Sequence, residues 1–301
     1  MNPAINGGEG SLQIRVTVEK GAIAHVALSS TRLVQACSIL VGRPLDEAMT
    51  LLPRLFSLCG VAQAVAGLTA AETALEITPA PAQIAARRLL VAAEALDQTV
   101  WRILLDWPRC VGGVPALHLL KPLRKTLASL RPLLFPDPAW NRIGGAALKP
   151  DQLELATALE KIESGVEQAI FDRPQWADRG SFAAWLRTAT TPAALTLRFV
   201  ADRGLAAFGR SAGDESINGE TGALARLWRH SLIAPLRADY GNGLLPRLAA
   251  RVIECGVLVV ELRNQAMRIN ADFTRRAASH ATTSAWIASP SGGVERRMLD
   301  R

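Results

Sequence analysis

The chain has 301 residues, 49% hydrophobic and 20% charged, with a formal net charge of +7. This composition excludes a disordered polymer and allows a sizeable core, in one large domain or two smaller ones. The basic residues are dispersed and no run of about eighteen apolar residues occurs, so neither a nucleic-acid partner nor a membrane-spanning helix is expected.

Residues 1–10 are polar and glycine-rich and predict a flexible tail without signal-peptide character. Leu12 to Val18 alternates apolar and polar residues, Glu19-Lys20-Gly21 is a turn, and Ala22 to Leu28 follows, which predicts a β-hairpin. Ser29, Ser30 or Thr31 can cap a helix over Arg32 to Val41, which Gly42 stops. Pro44, Asp46 and Glu47 suit the start of a helix running to Leu58. Cys59-Gly60 marks a helix junction, and Val61 to Glu76 continues as a second helix. Pro79 and Pro81 interrupt the chain before a long Ala/Leu-rich helix over Gln83 to Asp106, which Trp107-Pro108 is expected to end.

His118 to Leu134 is helical by pattern, and Phe135 to Pro150 is a Pro/Gly-rich loop or linker. Asp151 to Phe171 is an amphipathic helix with Asp151 near its cap. A short helix surrounds Phe182 to Leu186, Leu195 to Val200 is strand-like, and 209–222 is a polar loop. Ala223 to Arg229 and Leu244 to Met267 are helical, separated by Asp239 to Gly243, and 268–301 is a weakly patterned tail. The expected fold is mainly α with a small β component, as a single domain over 11–267.

Cys37, Cys59, Cys110 and Cys255 lie far apart with no disulfide-framework spacing, so free thiols in a reducing cytoplasm are expected. Cys37 and Cys255 sit in apolar surroundings that suit a core, whereas Cys110 is placed in a loop. The four histidines have no partner at ligand spacing, and no Ser/His/Asp constellation occurs. Chemistry concentrates in Arg54-Leu55-Phe56-Ser57-Leu58-Cys59, where Cys59 is the second half of a Cys-x-x-Cys whose first position is Phe56. Such a pair sets two soft thiolates one turn apart for a single soft metal. A lone cysteine here is either a metal contact or a small buried hydrophobe. Arg54 can favour the thiolate or pair with Glu72, and Gln63 can hydrogen-bond near a ligand or face solvent.

Ile39-Leu-Val-Gly-Arg43 with Leu45-Asp-Glu-Ala48, and Arg54 to Ala64 running on to Glu72, resemble the N-terminal region of nickel–iron hydrogenase large subunits. The segment Gly219 to Arg226, with Tyr240 to Gly243 and Leu248 to Glu254, resembles a second region of the same family, and Thr282 to Pro290 echoes a third. Phe56 stands where that family has a cysteine, Gln63 where it has histidine, and no cysteine follows Cys255. The chain thereby resembles the HupK/HoxV-type hydrogenase expression/formation proteins, paralogues of the large subunit. That resemblance implies a large-subunit-like helical bundle and a non-catalytic scaffold. It also implies that Cys59, helped by Arg54 and Gln63, contacts a transient iron–cyanide–carbonyl fragment, with no nickel expected. The implied partners are a small hydrogenase-assembly chaperone and the immature large subunit. The alternative is a divergent large subunit with oxidoreductase activity.

Overall fold

Alternating apolar residues around a Lys20-Gly21 turn, both at positive φ, build an antiparallel hairpin of β1 (Leu12–Glu19) and β2 (Ala22–Ser30). The computed structural model describes residues 11–31, 36–56, 58–172, 178–210 and 221–287, with side chains through 273; the predicted flexible tail at 1–10 lies outside them. Cross-strand pairs Ile14–Leu28, Val16–Val26 and Val18–Ile23 share one face, and all six side chains are exposed.

Of the helix expected over Arg32–Val41, Arg32 to Gln35 lie outside the described residues. The remainder is a 3-10 turn, Ala36–Leu40, ending at Gly42 with φ +78°. No residue of this turn is buried, and Cys37 is exposed rather than in the core. Next come α1 (Leu45–Leu55) and α2 (Gly60–Ala74). α1 stops three residues before the expected Leu58, because Phe56 turns the backbone to φ −127°, ψ 87°.

α3 (Pro81–Trp101) starts on proline and buries an Ala/Leu stripe that includes Ala86, Leu89, Ala93 and Leu96. Trp107-Pro108 does not end this stretch as expected. A π-turn over Arg102–Asp106 leads straight into the short α4 (Trp107–Cys110). A proline withholds the N–H that would bond the carbonyl four residues earlier, and that carbonyl, Leu104 O, instead accepts from Ala116 N–H at 2.8 Å.

α5 (Leu117–Leu134) and α6 (Gln152–Val166) pack together, and Asp151 caps α6 by accepting from Glu154 N–H at 3.0 Å. A second π-turn, Glu167–Phe171, leads to α7 (Arg179–Thr188) and α8 (Pro192–Asp202). The strand-like Leu195–Val200 is therefore helical. Thr191 caps the helix, Pro192 opens it, and Ala193, Ala194, Leu197 and Val200 are buried at helical spacing. A short apolar run carries either period, and the cap decided between them.

α9 (Ala223–Arg226) and α10 (Ile233–Tyr240), the latter not anticipated, precede α11 (Leu244–Ile287). α11 continues past Met267 because Leu262, Ala266 and Ile269 keep the buried stripe going. It packs along α3 to form the axis of the core. The chain is thus mainly helical with a small N-terminal hairpin, as its composition and patterning predict.

Residues 135–150 form a strap over α1, α2 and α3. Trp140 is buried, Asn141 Nδ2 donates to Met49 O at 2.5 Å, and Gln83 Nε2 donates to Ala146 O at 2.5 Å. Beneath it, Arg87 Nη1 bonds both oxygens of Glu72 at 2.9 Å, Gly144 N–H donates to Glu72 Oε1 at 2.8 Å, and Arg87 Nη2 donates to Arg142 O at 2.8 Å. Glu72 and Arg87 are both buried, so this pair fastens the strap to two helices.

Candidate functional site at the junction of α1 and α2

The last turn of α1 carries Arg54, and the chain then reverses through Phe56 and Leu58 into Cys59, which occupies the N-cap position of α2. The Cys59 side chain makes no capping bond and is exposed. Gln63 lies one turn further along α2, and its Nε2 reaches 3.9 Å from Cys59 Sγ, so its amide can donate to the sulfur.

The α2 N-terminus is capped from elsewhere. Glu94 on α3 accepts from Val61 N–H at 2.8 Å and from Ala62 N–H at 2.9 Å, one on each oxygen. Two first-turn N–H groups thereby gain a charged acceptor, and the sulfur is left free for another ligand. Glu94 was not singled out from sequence; the available signal was one carboxylate within the Ala-rich run Ala92-Ala93-Glu94-Ala95. Glu94→Ala is expected to cost about 0.5–2 kcal/mol by the usual loss of a cap, read as a lower urea midpoint.

Gly60 sets how closely the two helices meet. A Cβ there would lie 2.6 Å from Pro53 O, which is backbone and cannot swing aside. Gly60→Ala must therefore push α1 from α2, at an expected cost of roughly 1–3 kcal/mol measured by chemical unfolding. The same shift should move Cys59 relative to Gln63.

The predicted site residues are only partly brought together. Cys59 and Gln63 are in contact. Arg54 is exposed, and it does not pair with Glu72, which is taken by Arg87; among the described residues Arg54 makes no ion pair. Arg54 instead lines a cleft of about 560 Å³ with Phe56, Gly60, Val61, Glu94, Arg131 and Trp140, and Cys59 and Gln63 are not among its lining residues.

The other cysteines are dispersed. Cys110 is exposed, but at the end of the short helix α4 rather than in the expected loop, because the helix continues through Trp107-Pro108. Cys255 is buried on α11, and burial first, then the neighbouring Glu254 charge, pushes its thiol pKa up. Among the described residues no group of three or more His, Cys, Asp and Glu side chains converges. Arg226, from the second family-like segment, pairs with the buried carboxylate of Glu254 and ties α9 to α11. Among the described residues no helix is long and apolar enough to cross a membrane.

The chain is similar to the hydrogenase expression/formation protein HupK of Rhizobium leguminosarum bv. viciae, at 27% identity over 249 residues, or 83% of this chain and 60% of that protein. It is 34% identical to the corresponding protein HupV of Azotobacter chroococcum mcd 1 over 125 residues, covering 41% of this chain and 36% of HupV. It is 39% identical to HoxV of Cupriavidus necator over 101 residues, covering 34% of this chain and 25% of HoxV. The chain thus spans at most about three fifths of the length of these curated relatives. No family model matches the chain. The chain is thus similar, over part of their length, to the HupK-type hydrogenase expression/formation proteins.

Proposed function

We propose that this protein is a non-catalytic scaffold in nickel–iron hydrogenase maturation. It receives an iron–cyanide–carbonyl fragment from a small assembly chaperone in the cytoplasm and passes it to the immature large subunit. The observation that carries this reading is the exposed Cys59 thiol beside the Gln63 amide, at a helix junction where Phe56 stands in place of the first sulfur of the pair. The names of the relatives support its setting.

Low-spin iron bearing cyanide and carbon monoxide favours a soft thiolate donor, which Cys59 supplies. Gln63 is placed to donate a hydrogen bond to Cys59 sulfur, or to a cyanide nitrogen beside it. One sulfur anchor suits release, because a cysteine of the next protein can displace it by ligand exchange. Two anchors would hold the fragment more tightly and slow its departure. Among the described cysteines, Cys255 is sealed in the core and joins no such site without unpacking α11.

Metal analysis of the full-length protein, purified with whatever assembly partners accompany it, tests the proposal. The expected result is iron without nickel, with an immature large subunit in the complex. Nickel at about one per chain would instead favour the divergent-hydrogenase reading.

A further inference from the structure

We infer that the trough between α1, α2, α3, α5 and the strap is a docking groove for an acidic, extended segment of a partner protein. The juxtaposition behind this is a pair of adjoining cavities whose unpaired charges are all cationic and whose lining also includes apolar side chains. This goes beyond the scaffold reading, since it holds whichever cargo Cys59 carries.

Two cavities make up the trough, of about 460 Å³ and about 560 Å³. They share Val61, Glu94 and Arg131, so they meet across the N-terminus of α2. Leu90, Ala93 and Leu127 contribute apolar surface at one end, and Phe56 and Trp140 at the other.

Four cations line the trough, Arg54, Arg124, Lys125 and Arg131, against two carboxylates, Glu94 and Asp97. Both carboxylates are already engaged. Glu94 caps α2, and Asp97 takes a bidentate contact from Arg124 at 2.7 and 2.9 Å. Asp97 accordingly holds the Arg124 guanidinium in its charged form, chiefly through that hydrogen bond. Arg124 is also stacked over Trp101, 4.3 Å from the ring centroid, which fixes its position.

Arg54, Lys125 and Arg131 are exposed, and none has an ion-pair partner among the described residues. Cations left unpaired around an apolar trough complement a ligand that carries carboxylates and apolar side chains together. Lys125 and Arg131 lie six residues apart on α5, about 9 Å along the helix. An extended chain covers that distance in two to three residues, so acidic residues at that spacing match both cations. A peptide threaded this way runs from α5 towards Phe56, three residues before Cys59.

The test is fluorescence anisotropy of the full-length protein with a labelled peptide of alternating Glu and Leu, beside an alternating Lys and Leu control. Saturable binding of the Glu peptide alone is expected. Arg131→Glu and Lys125→Glu should each weaken it about tenfold or more, with unchanged circular dichroism. Arg15→Glu, the same charge change on a hairpin residue that does not line the trough, should have little effect. Ala128→Trp, which fills the trough without altering charge, should also abolish binding and guards against a misfolded charge variant. Absence of saturable binding below about 1 mM, or an equal loss in Arg15→Glu, would overturn the proposal. These variants retain Cys59, so their outcome is separate from that of any iron measurement.

Discussion

Arg87→Ala is expected to lower the unfolding free energy by about 3–5 kcal/mol, the usual cost of stranding one partner of a buried ion pair. Glu72 is almost wholly buried and would keep only the Gly144 N–H as partner. Arg142 O would also lose its donor, so the strap should loosen along with the pair. A large drop in the urea midpoint is the readout. The double variant Glu72→Leu/Arg87→Leu should recover part of the loss, because it removes both buried charges together. Recovery should be incomplete, since Gly144 N–H and Arg142 O each lose a bond worth about 1–3 kcal/mol when buried. Among the described residues Arg87 Nε has no hydrogen-bond partner.

Cys59→Ser is expected to abolish retention of the iron–cyanide–carbonyl fragment while leaving the fold intact. Serine keeps the shape but offers a hard, protonated oxygen in place of a soft thiolate. The side chain is exposed and makes no capping bond, so its loss should change stability by less than about 0.5 kcal/mol. Cys37→Ser and Cys110→Ser remove other exposed thiols and should leave retention unchanged. Gln63→Leu removes one hydrogen bond beside the sulfur and should weaken retention several-fold to about tenfold, the usual worth of one such bond. Iron per chain after gel filtration distinguishes these variants.

The helices and the hairpin were legible because their signals are local. Alternation with a Lys-Gly turn marks the hairpin, and Ala/Leu periodicity marks α3. Departures from the expectation have both non-local and local causes. Pro108 ends a helix unless the freed Leu104 carbonyl finds another donor, and that donor, Ala116, comes eight residues later. Leu195–Val200 carries a strand-like pattern that the Thr191 cap and Pro192 override. Cys37 is exposed, on a 3-10 turn over Ala36–Leu40 that buries no side chain.

The contact between Cys59 and Gln63 was legible, because the two lie four residues apart across the start of one helix. Arg54 belongs to the neighbouring trough, because the Glu72 carboxylate is claimed by Arg87 across a contact that local sequence does not encode. Glu94 and Arg131 come from helices distant in sequence, and only packing brings them to the α2 N-terminus.

Infrared spectroscopy of the full-length protein, purified with its assembly partners as wild type and as Cys59→Ser, tests the central claim most directly. The account predicts cyanide and carbonyl stretching bands in the wild type and their loss in Cys59→Ser. Bands that persist unchanged in Cys59→Ser would contradict it.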